Sequence, residues 1–404
     1  MSAEPTPAPG PLQGLRVIEM GQLLAGPFCG QLLGDFGAEV IKLEAPGSGD
    51  PMRQWGREQA DGASLWWPVV ARNKKSVTCN LRDPQGQRLA RDLIAGADIV
   101  IENFRPGTME RWGLGYDQLR ETNPGLIMVR VTGYGQTGPY APRAGYGSIG
   151  EAMGGIRYTT GDPAHPPART GISIGDSLAA VFATIGTLAA LHHRDRTGHG
   201  QLVDAAIYEA VLAMMESVLP EWEVTGYQRE RTGSVLPNVA PSNIYPTAGG
   251  EMVLIAANQD TVFARLTELM GRPELSTDAR YVNHVARGAR MDELDDLIAD
   301  WTSGLEADVL LERLHTGGVP AGRIYTARDM FADPHFAARE AIVRVAHPVL
   351  GELPMQNVAP KLSATPGSIR HAGPALGQHN QEIYGELLGL DADKIAELVR
   401  AGIA

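Results

Sequence analysis

The sequence predicts an α/β protein with a doubly wound parallel sheet in a large domain and a smaller α+β domain. Short apolar strands alternate with helical apolar spacing through the first half of the chain, as in repeated strand–helix–strand units. Loops rich in glycine, proline and basic residues follow several of these strands. In a parallel sheet such loops form the ligand crevice, so both observations point to a ligand-binding α/β domain.

Strand patterns and helix patterns alternate in a regular order. Helical spacing predicts helices over 28–36, 83–96, 116–122, 177–194 and 207–219. Asp83 and Pro84 fit the cap and first position of the second helix. Short apolar runs predict strands over 15–20, 37–44, 76–81, 98–102, 126–132 and 201–206. Consecutive parallel strands joined by helices require right-handed crossovers.

The second half of the chain has a different organisation. A polar connector over 227–246 precedes a predicted strand over 252–256 and helices that run to residue 315. We therefore place a small domain at 225–330, after a large domain that begins at 11 and runs to 224. Two short antiparallel strands are predicted over 341–346 and 352–356, and a helical tail over 381–401.

Composition excludes several classes of function. The 404 residues carry a net charge of −12, which disfavours a general nucleic-acid or membrane surface. Cys29 and Cys79 are the only cysteines, so a disulfide framework is excluded and a reducing cytoplasm is expected. No uninterrupted apolar run reaches the ~18 residues of a membrane span. Residues 1–10 have neither a basic start nor an apolar segment, so they predict a loose tail rather than a secretion signal.

The common cofactor motifs do not occur. The first turn, at 21–27, does not have the glycine spacing of a dinucleotide fingerprint, and no phosphate-binding Gly-Lys-Ser/Thr motif is present. His192, His193 and His199 are close in sequence but lack the spacing and partners of a metal site. We therefore expect no metal and no permanently bound cofactor.

Asp176 is the candidate for chemistry, and the local sequence allows two interpretations. It follows Gly175 and directly precedes a long apolar helix pattern, where a carboxylate can cap the first free N–H groups. Alternatively it is a nucleophile, since Gly175 lets a substrate carbonyl approach closely. This stretch alone leaves both interpretations open.

Several motifs together resemble the class III CoA-transferases, a family that includes formyl-CoA, carnitine and succinyl-CoA:dicarboxylate transferases. The resemblance runs from Pro11 to the C-terminal tail. The segments that carry it are Leu12-Gln-Gly-Leu-Arg-Val-Ile-Glu, Leu24-Ala-Gly-Pro, Gly34-Asp-Phe-Gly-Ala-Glu-Val-Ile-Lys-Leu-Glu, Asn73-Lys-Lys-Ser, Glu102-Asn-Phe-Arg-Pro-Gly, Gly133-Tyr-Gly-Gln-Thr-Gly-Pro and Gly175-Asp176.

The resemblance implies a fold and a mechanism. The expected fold is a Rossmann-like large domain and a ring-like subunit in an interlocked dimer, with the segment 331–404 returning to the large domain. Asp176 falls on the catalytic aspartate, which attacks an acyl-CoA thioester to give an anhydride and then an aspartyl-CoA thioester. The expected reaction transfers CoA from an acyl-CoA, with succinyl-CoA as the favoured donor, to a small carboxylic acid.

The same resemblance places the substrate sites. CoA is expected along Gln22, Leu23, Leu24, Arg82, Asn103, Phe104, Arg105, Arg111 and Tyr146. The family's arginine after the second strand is replaced by Ala45, which puts that contact in doubt. The loop that closes over the intermediate corresponds to Ala257, Asn258 and Gln259, which is closer to the dicarboxylate branch than to the polyglycine loop of formyl-CoA transferase.

Two other functions stay open. A related racemase needs a histidine in the segment before the aspartate, and Tyr146 occupies that position, which favours acyl transfer. The second alternative is a non-catalytic CoA-binding subunit of a hetero-oligomer, since some relatives work in pairs.

Overall fold

The structure is a computed structural model that describes residues 10–57, 59–60 and 62–404. The predicted N-terminal tail lies outside the described residues, except for Gly10. The chain forms two compact units. The sheet unit comprises the described residues up to Ile156, Thr170–Leu219 and His335–Ala404, and the small unit comprises Arg157–Arg169 and Pro220–Pro334. The functional domain limits at 224, 225–330 and 331 stay predictions.

A parallel sheet of six strands organises the sheet unit. In chain order, with a short hairpin formed by β3 and β4, the strands are β1 (Arg16–Glu19), β2 (Glu39–Glu44), β3 (Gln59–Ala60), β4 (Ala63–Ser64), β5 (Lys74–Thr78), β6 (Ile99–Glu102), β7 (Ile127–Thr132) and β8 (Leu202–Ala206). The spatial order β5-β2-β1-β6-β7-β8 is that of a doubly wound sheet whose direction of growth reverses beside β1. The predicted α/β fold with a parallel sheet is confirmed.

Helices cover both faces of this sheet. Successive residues of β1 point to opposite faces of the sheet, and both faces are buried. Val17 packs into one apolar cluster and Ile18 into the other, and both side chains are fully buried. In chain order, the helices up to residue 225 are α1 (Ala25–Asp35), α2 (Trp67–Val70), α3 (Pro84–Ala95), α4 (Thr108–Arg111), α5 (Tyr116–Leu119), α6 (Gly147–Met153), α7 (Ile156–Thr159), α8 (Ile174–Thr197), α9 (Ile207–Leu212) and α10 (Val218–Thr225). Most residues of α7 and α10 belong to the small unit.

The small unit contains an antiparallel sheet in the order β11-β10-β9. Its strands are β9 (Ser242–Pro246), β10 (Met252–Ala256) and β11 (Ala321–Arg323). Its helices are α11 (Asp260–Leu269), α12 (His284–Gly288), α13 (Met291–Thr302), α14 (Ala307–Thr316) and α15 (Ala327–Ala332), with a 3₁₀ turn at Pro273–Ser276. Helix α16 (Pro334–Ala338) begins at the last residue of this unit and continues in the sheet unit. Strand β9 lies inside the segment that was predicted as a polar connector. The sequence did not predict this strand, because its half-buried Ser-Asn-Ile-Tyr-Pro sequence does not have a strong strand pattern.

The C-terminal segment belongs to the sheet unit. Strands β12 (Ile342–His347) and β13 (Gly351–Gln356) form the predicted antiparallel pair. The predicted helical tail is two helices, α17 (Asn380–Leu388) and α18 (Ala392–Arg400), separated where Gly389 takes a left-handed conformation. Ile383 and Tyr384 pack into the apolar cluster on one face of the parallel sheet, and the Tyr384 hydroxyl donates to the Thr78 carbonyl at 2.8 Å.

Other helix boundaries follow from local chemistry. Asp83 caps α3 as predicted, accepting from the Gln85 N–H at 2.7 Å. Helix α1 begins at Ala25, before the predicted start, because Pro27 is tolerated in a first turn. The helix predicted over 207–219 is interrupted, since α9 ends at Leu212 and α10 begins at Val218.

Helix α8, with 24 residues, is long and apolar enough to cross a membrane by its length and composition alone. Its alanine face, which includes Ala179, Ala183 and Ala190, packs into the core beside the parallel sheet. One face of α8 is therefore part of the core of the sheet unit.

Two buried lysines lie between the strands of the parallel sheet. Lys42 Nζ lies 2.9 Å from Glu19 Oε1 and 2.8 Å from Asp50 Oδ2, and Lys74 Nζ lies 2.8 Å from Glu19 Oε2. Burial by itself lowers the pKa of Lys42, but attraction to Glu19 and Asp50 outweighs burial and raises it. The pKa of Lys74, which shares Glu19 with Lys42, is lowered by burial. Glu19 and Asp50 therefore favour the charged form of Lys42 inside the protein.

Replacement of Lys42 by methionine should destabilise the protein strongly. Glu19 and Asp50 would remain buried without this cation, which costs about 3–5 kcal/mol. The midpoint of urea unfolding, followed by circular dichroism, should fall accordingly. Lys394→Met removes an exposed pair with Glu397 and is the matched control, with an expected loss under about 0.5 kcal/mol. Equal midpoints for the two variants would contradict this account.

Candidate active site at the carboxyl edge of the sheet

The reversal of strand order places two loops side by side. Strand β1 neighbours β2 on one side and β6 on the other, and the chain leaves β1 and β6 at the same edge of the sheet. Asn103, after β6, accepts from the Gln22 N–H at 2.8 Å and donates from Nδ2 to the Gln22 carbonyl at 2.8 Å. This reciprocal pair holds the two loops together at the switch point, where doubly wound sheets bind their ligands.

The loop after β1 contains a residue with a strained backbone, Leu23, which is held by hydrogen bonds to a buried carboxylate. Leu23 has a φ of 64°, a left-handed conformation that is uncommon for a side chain other than glycine. Its N–H donates to both oxygens of Asp50, at 3.1 and 3.2 Å, and Lys42 donates to the Gly21 carbonyl at 2.8 Å. Lys42 attraction outweighs burial and lowers the pKa of Asp50. The buried ion pairs therefore fix the shape of the loop that faces the crevice.

Asp176 lies within the first turn of α8, not before the helix. Helix α8 begins at Ile174 with Ser173 at the cap position, so the predicted helix start at 177 and the capping position of Asp176 are wrong. The helical pattern did not predict this first turn, because Gly175 and Ser173 are weak helix formers. A carboxylate in the first turn of a helix is stabilised in its ionised form by the helix dipole.

Two glycines let the start of α8 meet the start of α6. A Cβ atom on Gly147 would lie 2.3 Å from Asp176 Oδ2, and one on Gly175 would lie 2.9 Å from the Gly147 carbonyl oxygen. The N–H of Gly175 also donates to the buried Glu151 of α6 at 3.4 Å. A side chain at Gly147 would push the Asp176 carboxylate away, and one at Gly175 would push α6 away through the Gly147 carbonyl, so both positions require glycine for space. The sequence analysis singled out Gly175 and missed Gly147.

A cavity of about 240 Å³ opens over Asp176. It brings together the carboxylate and seven of the predicted CoA residues, namely Gln22, Leu23, Leu24, Asn103, Phe104, Arg105 and Tyr146. Trp55, Tyr134 and Arg143 also line this narrow cavity and were not predicted as site residues. Tyr134 lies within the Gly133-Tyr-Gly-Gln-Thr-Gly-Pro motif, which pointed to this loop but not to the residue, whereas Trp55 lies outside every motif of the resemblance.

A wider cleft of about 940 Å³ adjoins the narrow cavity. The two share Gln22, Phe104 and Arg105 as lining residues. The remaining predicted residues, Arg82 and Arg111, line only the wide cleft. Ala45 lines it too, so the position where the family's arginine is missing does face this cleft.

The predicted substrate loop belongs to the small unit and lines neither cavity. Ala257 is buried and its N–H donates to the Pro241 carbonyl at 2.8 Å. The Asn258 carbonyl accepts from the Arg287 guanidinium at 2.7 Å, and Gln259 occupies the cap position of α11. The role of these three residues in the acid site stays a prediction.

Buried Arg130 of β7 joins three of the segments that surround the crevice. Its Nε lies 3.2 Å from Glu102, its Nη2 lies 2.6 Å from Glu110 beside Arg111, and its Nη1 donates to Gln136 at 3.1 Å. Glu102 in turn accepts from the Phe104 N–H at 2.7 Å. Sequence reasoning missed this network, because an arginine within an apolar strand gives no indication of its partners.

Burial raises the pKa of Glu102 to about 7, although Arg130 opposes the shift. Glu110 and Asp204 add to the shift because they are like charges. Burial also raises the pKa of the two thiols, that of Cys29 to about 11 and that of Cys79 to about 12, which makes both poor nucleophiles. In the described ranges, no cluster of three or more histidine, cysteine or acidic side chains is placed to hold a metal ion.

A carboxylate in a narrow cavity beside an arginine-lined cleft suits the transfer of an acyl group from a phosphorylated substrate. Comparison with known proteins agrees. The sequence profile described as "CoA-transferase family III" matches residues 12–380, and the chain belongs to this family of CoA-transferases, which use CoA thioesters as substrates.

Individual relatives are similar over nearly their full length. The chain is 63% identical to succinyl-CoA–D-citramalate CoA-transferase of Chloroflexus aurantiacus, covering 96% of this chain and 97% of that one. It is 44% identical to the beta subunit of succinyl-CoA–L-malate CoA-transferase of the same organism, covering 96% of each. Among solved structures, a CAIB/BAIF family protein from Brucella suis matches with a TM-score of 0.83 at 36% identity, covering 94% of this chain and 100% of that one.

Replacing Glu102 by glutamine should change the pH dependence of stability. A carboxyl group whose pKa is raised from 4.5 to about 7 stabilises the fold below pH 4.5 and loses that contribution as the pH rises through 7. The loss is on the order of 3 kcal/mol. Urea unfolding of the wild type at pH 5 and pH 8 should therefore show a steeper decline than E102Q shows. Parallel declines would mean that Glu102 titrates at its ordinary pKa.

Proposed function

We propose that the protein transfers CoA through Asp176 by covalent catalysis. The observation that carries this proposal is the placement of Asp176 in a narrow cavity that shares Gln22, Phe104 and Arg105 with the arginine-lined cleft. That cleft is lined by Arg82, Arg105 and Arg111, which suit the phosphates of CoA. A guanidinium group can donate two parallel hydrogen bonds to the oxygens of one phosphate. The pantetheine arm then passes the shared residues and brings the thioester to Asp176.

The chemistry requires two exchanges at one carboxylate. An Asp176 oxygen attacks the thioester carbonyl, an acyl–aspartyl anhydride forms and CoA leaves as a thiolate. The thiolate attacks the aspartyl carbonyl, which releases the donor acid and leaves an aspartyl-CoA thioester. The acceptor carboxylate attacks this thioester to form a new anhydride and frees the thiolate again. The thiolate then attacks the acceptor's carbonyl, which gives the new acyl-CoA and restores Asp176.

The substrates follow from the relatives. The D-citramalate and L-malate enzymes both take CoA from succinyl-CoA, according to their names. We therefore propose succinyl-CoA as the donor and a small dicarboxylic acid as the acceptor. The cavity of about 240 Å³ is below the ~300–1,000 Å³ of most drug-sized pockets, which suits a short acyl group. Ala257, Asn258 and Gln259 stay a predicted part of the acid site, and a cytoplasmic location stays an expectation.

Racemisation is the alternative within the same superfamily. It requires a group that removes the α-proton beside the aspartate, and Tyr146 lines the cavity where the racemases have histidine. A phenol is a weak base at neutral pH, so acyl transfer is favoured. Exchange of the α-proton with solvent deuterium in the absence of any acceptor acid would instead support racemisation.

Asp176→Ala should abolish transfer of CoA from succinyl-CoA to dicarboxylic acids, with kcat lower by at least about a thousandfold, because the covalent route is lost. Incubation of the wild type with succinyl-CoA, followed by hydroxylamine and peptide mass analysis, should modify Asp176. Asp117→Ala, at an exposed carboxylate, is the matched control and should keep full activity. Normal turnover by the Asp176 variant would overturn the mechanism.

We also propose that the chain forms a homodimer, which the family resemblance predicts as interlocked rings. Support comes from α8, whose Val181, Ile185 and Leu188 are 39%, 55% and 44% exposed on one helical face. Such apolar faces on a folded protein mark association surfaces. The beta subunit among the relatives makes a hetero-oligomer the alternative.

Light scattering on the purified chain should give twice the mass of one chain. Ile185→Lys places a charge in the proposed interface and should shift the mass toward one chain, whereas Val399→Lys, at an exposed position on α18, should leave it unchanged. A wild-type mass of a single chain would exclude the homodimer.

A further inference from the structure

The narrow cavity over Asp176 is lined by a positively charged side chain that has no role in the proposed CoA site. Its charged lining residues are Asp176, Arg105 and Arg143. Arg105 also lines the wide cleft, where the phosphates of CoA are proposed to bind, but Arg143 lines only the narrow cavity. Arg143 is therefore the positive charge that belongs to the acyl end of the site.

Aromatic stacking orients Arg143. Its guanidinium carbon lies 3.6 Å from the centre of the Tyr140 ring, and Tyr140 meets Tyr134 edge-to-face at 5.9 Å. The backbone N–H of Arg143 also donates to the backbone carbonyl of Tyr140 at 2.9 Å, and this hydrogen bond closes a turn. A stacked guanidinium uses its face and keeps the N–H donors at its edge for a ligand.

Two glycines bring this turn to the cavity. A Cβ atom on Gly133 would lie 2.8 Å from the Cα of Gly145, and one on Gly145 would lie 2.9 Å from the Cα of Gly133. The loop after β7 therefore packs backbone to backbone against the segment that carries Arg143. Only glycine permits this contact, so the arrangement is built into the sequence Arg143-Ala-Gly-Tyr.

Arg143 has no carboxylate partner within the part of the chain that the structure describes. Many other arginines of the sheet unit do have one; Arg53, for example, pairs with Glu44 at 2.8 Å, and Arg130 pairs with Glu110 at 2.6 Å. A guanidinium held in a fixed orientation, without an internal anion and beside a nucleophile, is suited to bind an anionic ligand.

We propose that Arg143 binds the second carboxylate of the acyl group and so selects dicarboxylic substrates; this inference rests on the proposed function. One carboxyl carbon of the acid reacts at Asp176, while the far carboxylate pairs with the Arg143 edge. Donor and acceptor acids occupy the same place in turn. One arginine therefore serves both the succinyl group of the donor and the acceptor dicarboxylate.

A comparison of two donors tests this role. Succinyl-CoA and butyryl-CoA have acyl chains of four carbons, but only the former has a far carboxylate. Arg143→Met should lower kcat/KM for succinyl-CoA by roughly 10- to 100-fold, the value of a charge-assisted hydrogen-bonded pair, and change it for butyryl-CoA by less than about threefold. Arg143→Lys keeps a charge without the paired geometry and should lose an intermediate amount.

Arg120→Met is the matched control, because the Arg120 guanidinium also lies over a tyrosine, at 5.8 Å from the Tyr116 ring, and its side chain is 57% exposed. It should leave both donors unaffected. An equal loss on both donors in Arg143→Met, or no loss on either, would overturn the proposal. If Arg143→Met does not fold, the proposal is tested by comparing kcat/KM for the two donors in Arg143→Lys and in the wild type. A wild type without preference for succinyl-CoA would then overturn the proposal.

The same experiment separates this inference from the proposed function. If the wild type forms no acyl adduct on Asp176 with either donor, the proposed function is wrong and the role of Arg143 falls with it. If the adduct forms but discrimination between the donors does not depend on Arg143, only the arginine proposal is wrong.

Discussion

The loop after β1, at the carboxyl edge of the sheet, takes its shape from the buried ion pairs of Lys42. A charged amine without solvent is unstable unless anions surround it, and Glu19 and Asp50 supply them from the adjacent strand and from the loop after β2. Because Asp50 also accepts from the Leu23 N–H, the same ion pair that is needed for burial sets the conformation of the loop over the crevice. Stability and site geometry therefore share one set of contacts.

Strand order turns this local arrangement into a binding site. Adjacent parallel strands whose connections leave in opposite directions open a gap between their loops, and β1 and β6 form that gap here. Asn103 and Gln22 bridge the gap, while Arg130 holds the surrounding segments through Glu102, Glu110 and Gln136. The buried polar side chains beneath the loops thus hold the crevice open in one shape.

The sequence predicted the parts of the site better than their arrangement. Motif resemblance assigned Asp176 and the segments around Gln22 and Asn103, and the structure places these together in one cavity. Local pattern misplaced the start of α8, because glycine and serine in a first turn weaken the helical signal. Gly147 was missed, since a glycine required for close approach to another segment looks like any loop glycine.

The sequence by itself determined the α/β class and the family and predicted Asp176 as the reactive carboxylate, since these depend on periodicity and on motifs that are local in the chain. Only the tertiary structure decided which side chains meet that carboxylate. Arg143 and Trp55 share the cavity with Asp176 through contacts between segments that are distant in sequence. Such contacts follow from strand order and glycine-mediated packing, which no single stretch of sequence encodes.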